Sequence, residues 1–128
     1  MAPQLDHIIL NVNDRAKSIA FYTEVLGFGY EGEREGTPFS VIRVTPGFML
    51  QLAPFGTKGD EHLAFSMSRA EFDLAFQKIR ERAIEYGDSF DTVGNMRGPG
   101  ESGGAKGPCK SVYVFDPNRH LIEIAYYE

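Results

Sequence analysis

The chain has a single cysteine, Cys109, so no disulfide can close within it. Such sparse use of thiols leads us to expect a reducing, cytoplasmic setting. No stretch approaches the ~18 uncharged apolar residues that would span a bilayer, so no membrane association is expected. Basic residues are in the minority, with 13 Lys and Arg against 18 Asp and Glu, for a net charge of -5. A nucleic-acid partner would want a basic face, so none is expected. The first residues also lack the basic and apolar regions of a secretory signal.

What is present suits one compact domain. The chain has 128 residues, 42% of them hydrophobic. A domain of that size buries about two-thirds of its unfolded surface, enough for a core. The sequence also matches itself. With His7 laid on His62, Asp6-His7-Ile8-Ile9-Leu10 falls on Glu61-His62-Leu63-Ala64-Phe65, and Ile19-Ala20-Phe21 falls on Leu74-Ala75-Phe76. With Ser40-Val41 laid on Ser111-Val112, Pro46 falls on Pro117. One inserted residue then brings Met49-Leu50-Gln51-Leu52-Ala53 onto Leu121-Ile122-Glu123-Ile124-Ala125. The pieces keep the same order, which points to two copies of one unit, about 1–56 and 57–128.

Each copy reads as β-α-β-β-β. In the first, 5–12 is a strand rich in branched residues. Asn13 or Asp14 can cap a helix running to about Leu26, which Gly27 ends. Ile19, Tyr22, Val25 and Leu26 form its apolar stripe. Strands follow at 28–33, 39–45 and 48–53. The second copy opens with a strand at 61–67. Ser68-Arg69-Ala70-Glu71 spells a capping box, Phe72, Ala75, Phe76, Ile79 and Ala83 make a helical stripe, and Gly87 stops the helix. A strand near 89–93, a glycine-rich connection over 94–107, and strands at 110–115 and 121–127 complete it. The fold class is α+β.

In both copies the first strand carries a His among apolar residues, and the last carries a carboxylate or amide. His7, His62, Gln51 and Glu123 would converge if the copies pack about a pseudo-twofold. Two imidazoles and a carboxylate suit one divalent ion, Fe(II), Mn, Zn, Ni or Co, with the Gln51 carbonyl as a weaker fourth ligand. Open positions would let substrate oxygens reach the metal. Tyr113 alternates with Val112 and Val114 and so would face this site. The segment 94–107 is either a flexible connection or a lid bringing Arg97 or Lys106 to an anionic substrate. His120, in a turn, is expected to be exposed.

Leu5-Asp6-His7 with Ser18-Ile19-Ala20-Phe21-Tyr22-Thr23-Glu24-Val25-Leu26-Gly27-Phe28 resembles the opening of the vicinal oxygen chelate superfamily, the glyoxalase, fosfomycin-resistance, bleomycin-resistance and extradiol dioxygenase group. The run from Val112-Tyr113 through Asp116-Pro117-Asn118-Arg119-His120 to Glu123 resembles its closing motif, and Glu61-His62-Leu63 its second His strand. The resemblance implies two β-α-β-β-β modules forming an open, cup-shaped mixed sheet. It implies metal ligands at His7, His62 and Glu123, with catalytic roles for Glu123 and Tyr113. It further implies a small-molecule substrate and a homodimer whose sites draw modules from two chains. The reaction would be of lyase, isomerase or dioxygenase type. The alternative is a drug- or metabolite-binding protein with little or no catalysis. Departures narrow the choice. Fosfomycin transferases carry a Thr where this chain has Ile9. Many glyoxalases carry a Glu where it has Gln51, and an amide cannot act as a base. Extradiol dioxygenases carry a His ahead of the closing Tyr, where Lys106 is the nearest useful ionisable residue. Arg119 replaces the usual Gly or Pro of the turn.

Overall fold

The structure, a computed structural model, describes residues 2–128. It separates into two compact units, Met1–Lys58 and Gly59–Glu128.

In the first unit, strand β1 (His7–Asn11) leads through the N-cap Asp14, whose side chain accepts from the Lys17 amide, into helix α1 (Arg15–Ala20). The helix then widens into a π-helical turn at Phe21–Val25, where the Leu26 amide reaches back to the Phe21 carbonyl. Gly27 ends it at φ +82°, a conformation that costs glycine no steric penalty. Strands β2 (Gly29–Glu33), β3 (Ser40–Thr45) and β4 (Phe48–Ala53) give the sheet order β1-β4-β3-β2, with β1 and β4 parallel. Phe21, Tyr22, Val25 and Leu26 are buried, as are Leu10, Ile42, Leu50 and Leu52 of the strands. Each fully buried side chain of this size contributes about 1.5–3 kcal/mol.

The second unit repeats the plan. Strand β5 (His62–Ser66) precedes helix α2 (Arg69–Glu81), which opens with the expected reciprocal capping box of Ser68 and Glu71. Phe72, Ala75, Phe76 and Ile79 are its buried stripe, with Phe72 edge-on to Tyr126 at 4.7 Å. The sheet runs β5-β9-β8-β6, formed by β6 (Tyr86–Gly87), β8 (Gly107–Phe115) and β9 (Leu121–Tyr126), with β5 and β9 parallel. A further strand, β7 (Gly100–Gly104), pairs with the first half of β8 and has no counterpart among the described residues of the first unit.

Several expectations need correction here. The helix does not run to Gly87. It ends at Glu81, and Ala83 turns away at φ +54°, exposed rather than on the stripe. The expected strand near 89–93 is a turn, held by Thr92 and Asn95 side chains bonding Asp88, and the short strand lies earlier, at β6. The glycine-rich segment is largely a β-hairpin, so the second unit is not a plain β-α-β-β-β. The repeat alignment also slips by one residue in β3. Val41, not Ser40, opposes Gln51, as Tyr113 opposes Glu123. Ser111 therefore shares a face with Glu123, whereas Ser40 points to the opposite face from Gln51.

His120 is 1% exposed rather than solvated. Its ring accepts the Glu61 amide at 3.3 Å, and its own amide donates to Asp116 at 2.9 Å. Arg119 takes the left-handed conformation itself, at φ +70°, with its guanidinium 4.0 Å from the Phe115 ring centroid.

Candidate metal and substrate site

Parallel pairing sets the site in the second unit. His62 opposes Leu121, which puts Glu123 on the neighbouring strand one pleat further along, on the same face as the imidazole. His62 Nε2 lies 3.1 Å from Glu123 Oε1. The imidazole keeps 46% of its side chain exposed and the carboxylate 9%. Tyr113 directly opposes Glu123, and its ring meets that of His62 at 6.1 Å. The Ser111 hydroxyl donates to Glu123 Oε2 at 2.7 Å. The Ser102 hydroxyl lies 3.3 Å from the same oxygen and 3.0 Å from the Tyr113 hydroxyl. Burial pushes the Tyr113 phenol above its ordinary pKa, against the opposing pull of the Ser102 bond. Glu123 is thus a buried carboxylate whose partners are an imidazole and hydroxyls. A buried negative charge is costly to hold on such partners alone.

The first unit holds the matching pair. His7 opposes Met49 as His62 opposes Leu121, which puts Gln51 where Glu123 stands. The exposure patterns of β1 and β5 are identical, residue for residue. His7 bonds Asp6 through Nδ1 at 2.6 Å. Gln51 is 1% exposed, and its carbonyl oxygen accepts from Arg34 Nη1 at 3.4 Å. Arg97 is exposed, its amide donating to the Asn95 side chain. Lys106 lies in the β7–β8 turn with its ammonium 5.6 Å from the Tyr127 ring centroid.

The sequence reading missed Ser102, Ser111 and Arg34. Ser111 carries a usable signal, since it stands two residues before Tyr113 on one strand and must share its face. Ser102 carries none, because the glycine-rich segment 94–107 shows no strand pattern until it pairs with β8.

A divalent ion fits this chemistry. One imidazole nitrogen and one carboxylate oxygen are borderline-to-hard donors. His62 Nε2 and Glu123 Oε1 lie 3.1 Å apart, close enough that both could bind one ion together. Among the described residues no group of three or more His, Cys, Asp and Glu gathers, so this pair is what the second unit offers.

Two mixed sheets, each flanked by a helix after its first strand, define a glyoxalase-like α+β fold. Residues 4–124 match the Glyoxalase/Bleomycin resistance protein/Dioxygenase superfamily, and the chain belongs to that superfamily. It is 30% identical to the virulence protein STM3117 of Salmonella typhimurium over 131 residues, covering 97% of this chain and 84% of that one. The solved structure of that protein superposes with a TM-score of 0.77 at 28% identity, over 100% of this chain and 99% of the other. A probable lactoylglutathione lyase of Vibrio parahaemolyticus is 30% identical over 132 residues, 92% of this chain and 86% of that protein. The structure of the oxidase ChaP-H2 superposes with a TM-score of 0.78 at 26% identity, covering 100% and 96%. No helix among the described residues is long and apolar enough to cross a membrane.

Proposed function

We propose that this chain is a divalent-metal-dependent enzyme acting on a small molecule that presents neighbouring oxygens. His7, His62 and Glu123 hold the ion, which is Fe(II), Mn, Zn, Ni or Co, and Gln51 adds at most an amide oxygen. The observation that carries the reading is the buried Glu123 carboxylate set 3.1 Å from an accessible imidazole. His7 is assigned with them because its strand repeats that of His62 in register and exposure. The relatives named as a lyase and an oxidase lend support to a catalytic role.

A bound ion would supply Lewis-acid polarisation of substrate oxygens. The protein's own groups do the rest. Tyr113, held protonated by burial, keeps a hydroxyl to orient substrate. Glu123 is the one carboxylate of the proposed ligand set, and it could move a proton between substrate atoms only by leaving the ion. Gln51 cannot act as a base, because an amide does not accept a proton at ordinary pH. Arg97 and Lys106 serve as cations for an anionic substrate. The protein works as a cytoplasmic homodimer, an assembly frequent in the superfamily.

Elemental analysis of protein purified without chelators tests the reading. About one divalent ion per chain is expected, lost in both His7→Ala and His62→Ala. A protein that takes up no metal would instead be a metabolite- or drug-binding module, and metal kept in both variants would place the ion away from His7 and His62.

A further inference from the structure

We infer that Ser102 and Ser111 are positioning residues that restrict Glu123 to one-oxygen binding of the metal. The inference rests on the metal reading above. An ionised carboxylate has two oxygens with two lone-pair sites each, and an ion can engage one oxygen or both. Here the two oxygens have different surroundings. Oε1 faces His62 at 3.1 Å. Oε2 meets the Ser111 hydroxyl at 2.7 Å and the Ser102 hydroxyl at 3.3 Å, which fills both of its sites.

The Tyr113 hydroxyl lies 3.0 Å from Ser102 Oγ and can donate to it. That leaves the Ser102 proton for Glu123. Tyr113, Ser102 and Glu123 then form a chain of donors ending on Oε2, with Ser111 as a second, shorter anchor.

The sheet is built to deliver these hydroxyls. Ser111 and Tyr113 lie two apart on β8, on the face that Glu123 shares. Ser102 comes from β7, the strand the first unit lacks. At Gly100 an added Cβ would collide with the Asp88 carbonyl oxygen, so glycine permits the close approach that carries β7 past this segment. The first unit, with Gln51 instead of a carboxylate, has no such strand among the described residues. Removing the hydroxyls frees Oε2 to turn to the ion. A two-oxygen Glu123 would fill a coordination position that substrate oxygens need.

The test is loading with Co(II), whose visible absorption reports coordination number, in the wild type, Ser102→Ala, Ser111→Ala, the double variant and Ser102→Thr. The expected result is a weaker, higher-coordinate spectrum in the alanine variants and a change in Co(II) affinity of about 10–100-fold. Ser102→Thr keeps the hydroxyl and should keep the wild-type spectrum. Ser111 is fully buried, so its variants are first checked for fold by circular dichroism. Ser102 is partly exposed, so its variant answers the question even if Ser111→Ala unfolds. A purely structural role would lower the melting temperature and leave the Co(II) spectrum unchanged, and that result overturns the inference. Failure of the wild type to bind Co(II) at all overturns the metal reading as well, and is distinguishable on that account.

Discussion

Glu123 and Gln51 occupy one place in two copies of a unit, yet they can do different things. Glu123 offers charge as well as an oxygen. Gln51 offers a dipole, and its oxygen already accepts from Arg34. Glu123→Gln should therefore weaken metal binding by at least about tenfold, as measured by titration, while Gln51→Ala should change it much less. Equal losses would make Gln51 a full ligand. The same difference bears on the reaction. Isomerising a glutathione hemithioacetal needs a mobile base beside the metal, and Gln51 stands where a second carboxylate would serve. The wild type should be a poor catalyst of it with Ni, Co, Zn, Mn or Fe(II). Gln51→Glu should gain, since general-base catalysis is worth about 10²–10⁴-fold. A wild-type turnover of 10² per second or more, on the order of a good enzyme, would contradict this.

Helix α2 shows what a short local pattern secures. Ser68 and Glu71 satisfy each other's amides, and those bonds, the Ser68 backbone one foremost, hold the Glu71 carboxyl below its ordinary pKa of 4.5. Ser68→Ala should cost about 0.5–2 kcal/mol in denaturant unfolding. A carboxyl whose pKa is depressed on folding adds stability above its unfolded pKa and loses it as pH falls through the folded one. The stability gap between the wild type and Glu71→Gln should therefore be present at neutral pH and close below pH ~4.5, as followed by thermal melts across pH. A gap that persists at low pH would mean that the cap works without its charge. Gly59, ahead of β5, is bound by other constraints. It sits at φ +93°, and a Cβ there would strike the Arg119 carbonyl oxygen. Gly59→Ala should cost more than about 1 kcal/mol.

For the whole molecule, the proposed assembly determines which chains supply a site. In the proposed homodimer, sites draw His7 from one copy and the His62–Glu123 pair from the other. Unfolding and refolding His7→Ala together with His62→Ala should then give mixed dimers in which one site of the two is intact. Metal content should recover to about half the wild-type level in those dimers. No recovery in mixed dimers would place each site within one chain.

Much was written in the sequence, because local chemistry is short-ranged. The repeat, the capping box, the Gly27 helix stop and the strands of β4 and β9 follow from periodicity and from residues whose backbone preferences act within a few positions. His62, Glu123 and Tyr113 could be assembled because parallel pairing and a period of two leave few registers open. What the sequence left undecided depends on partners far along the chain. A glycine-rich stretch reads as a loop until β8 supplies a strand to pair with, and only then does Ser102 reach Glu123. His120 reads as a turn residue until Glu61 offers its amide. Gly87 reads as a helix stop, but Ala83 takes the left-handed turn first. Long-range hydrogen bonds and the close approach of backbones decided these points. Neither leaves a mark within the few residues on which local propensity acts.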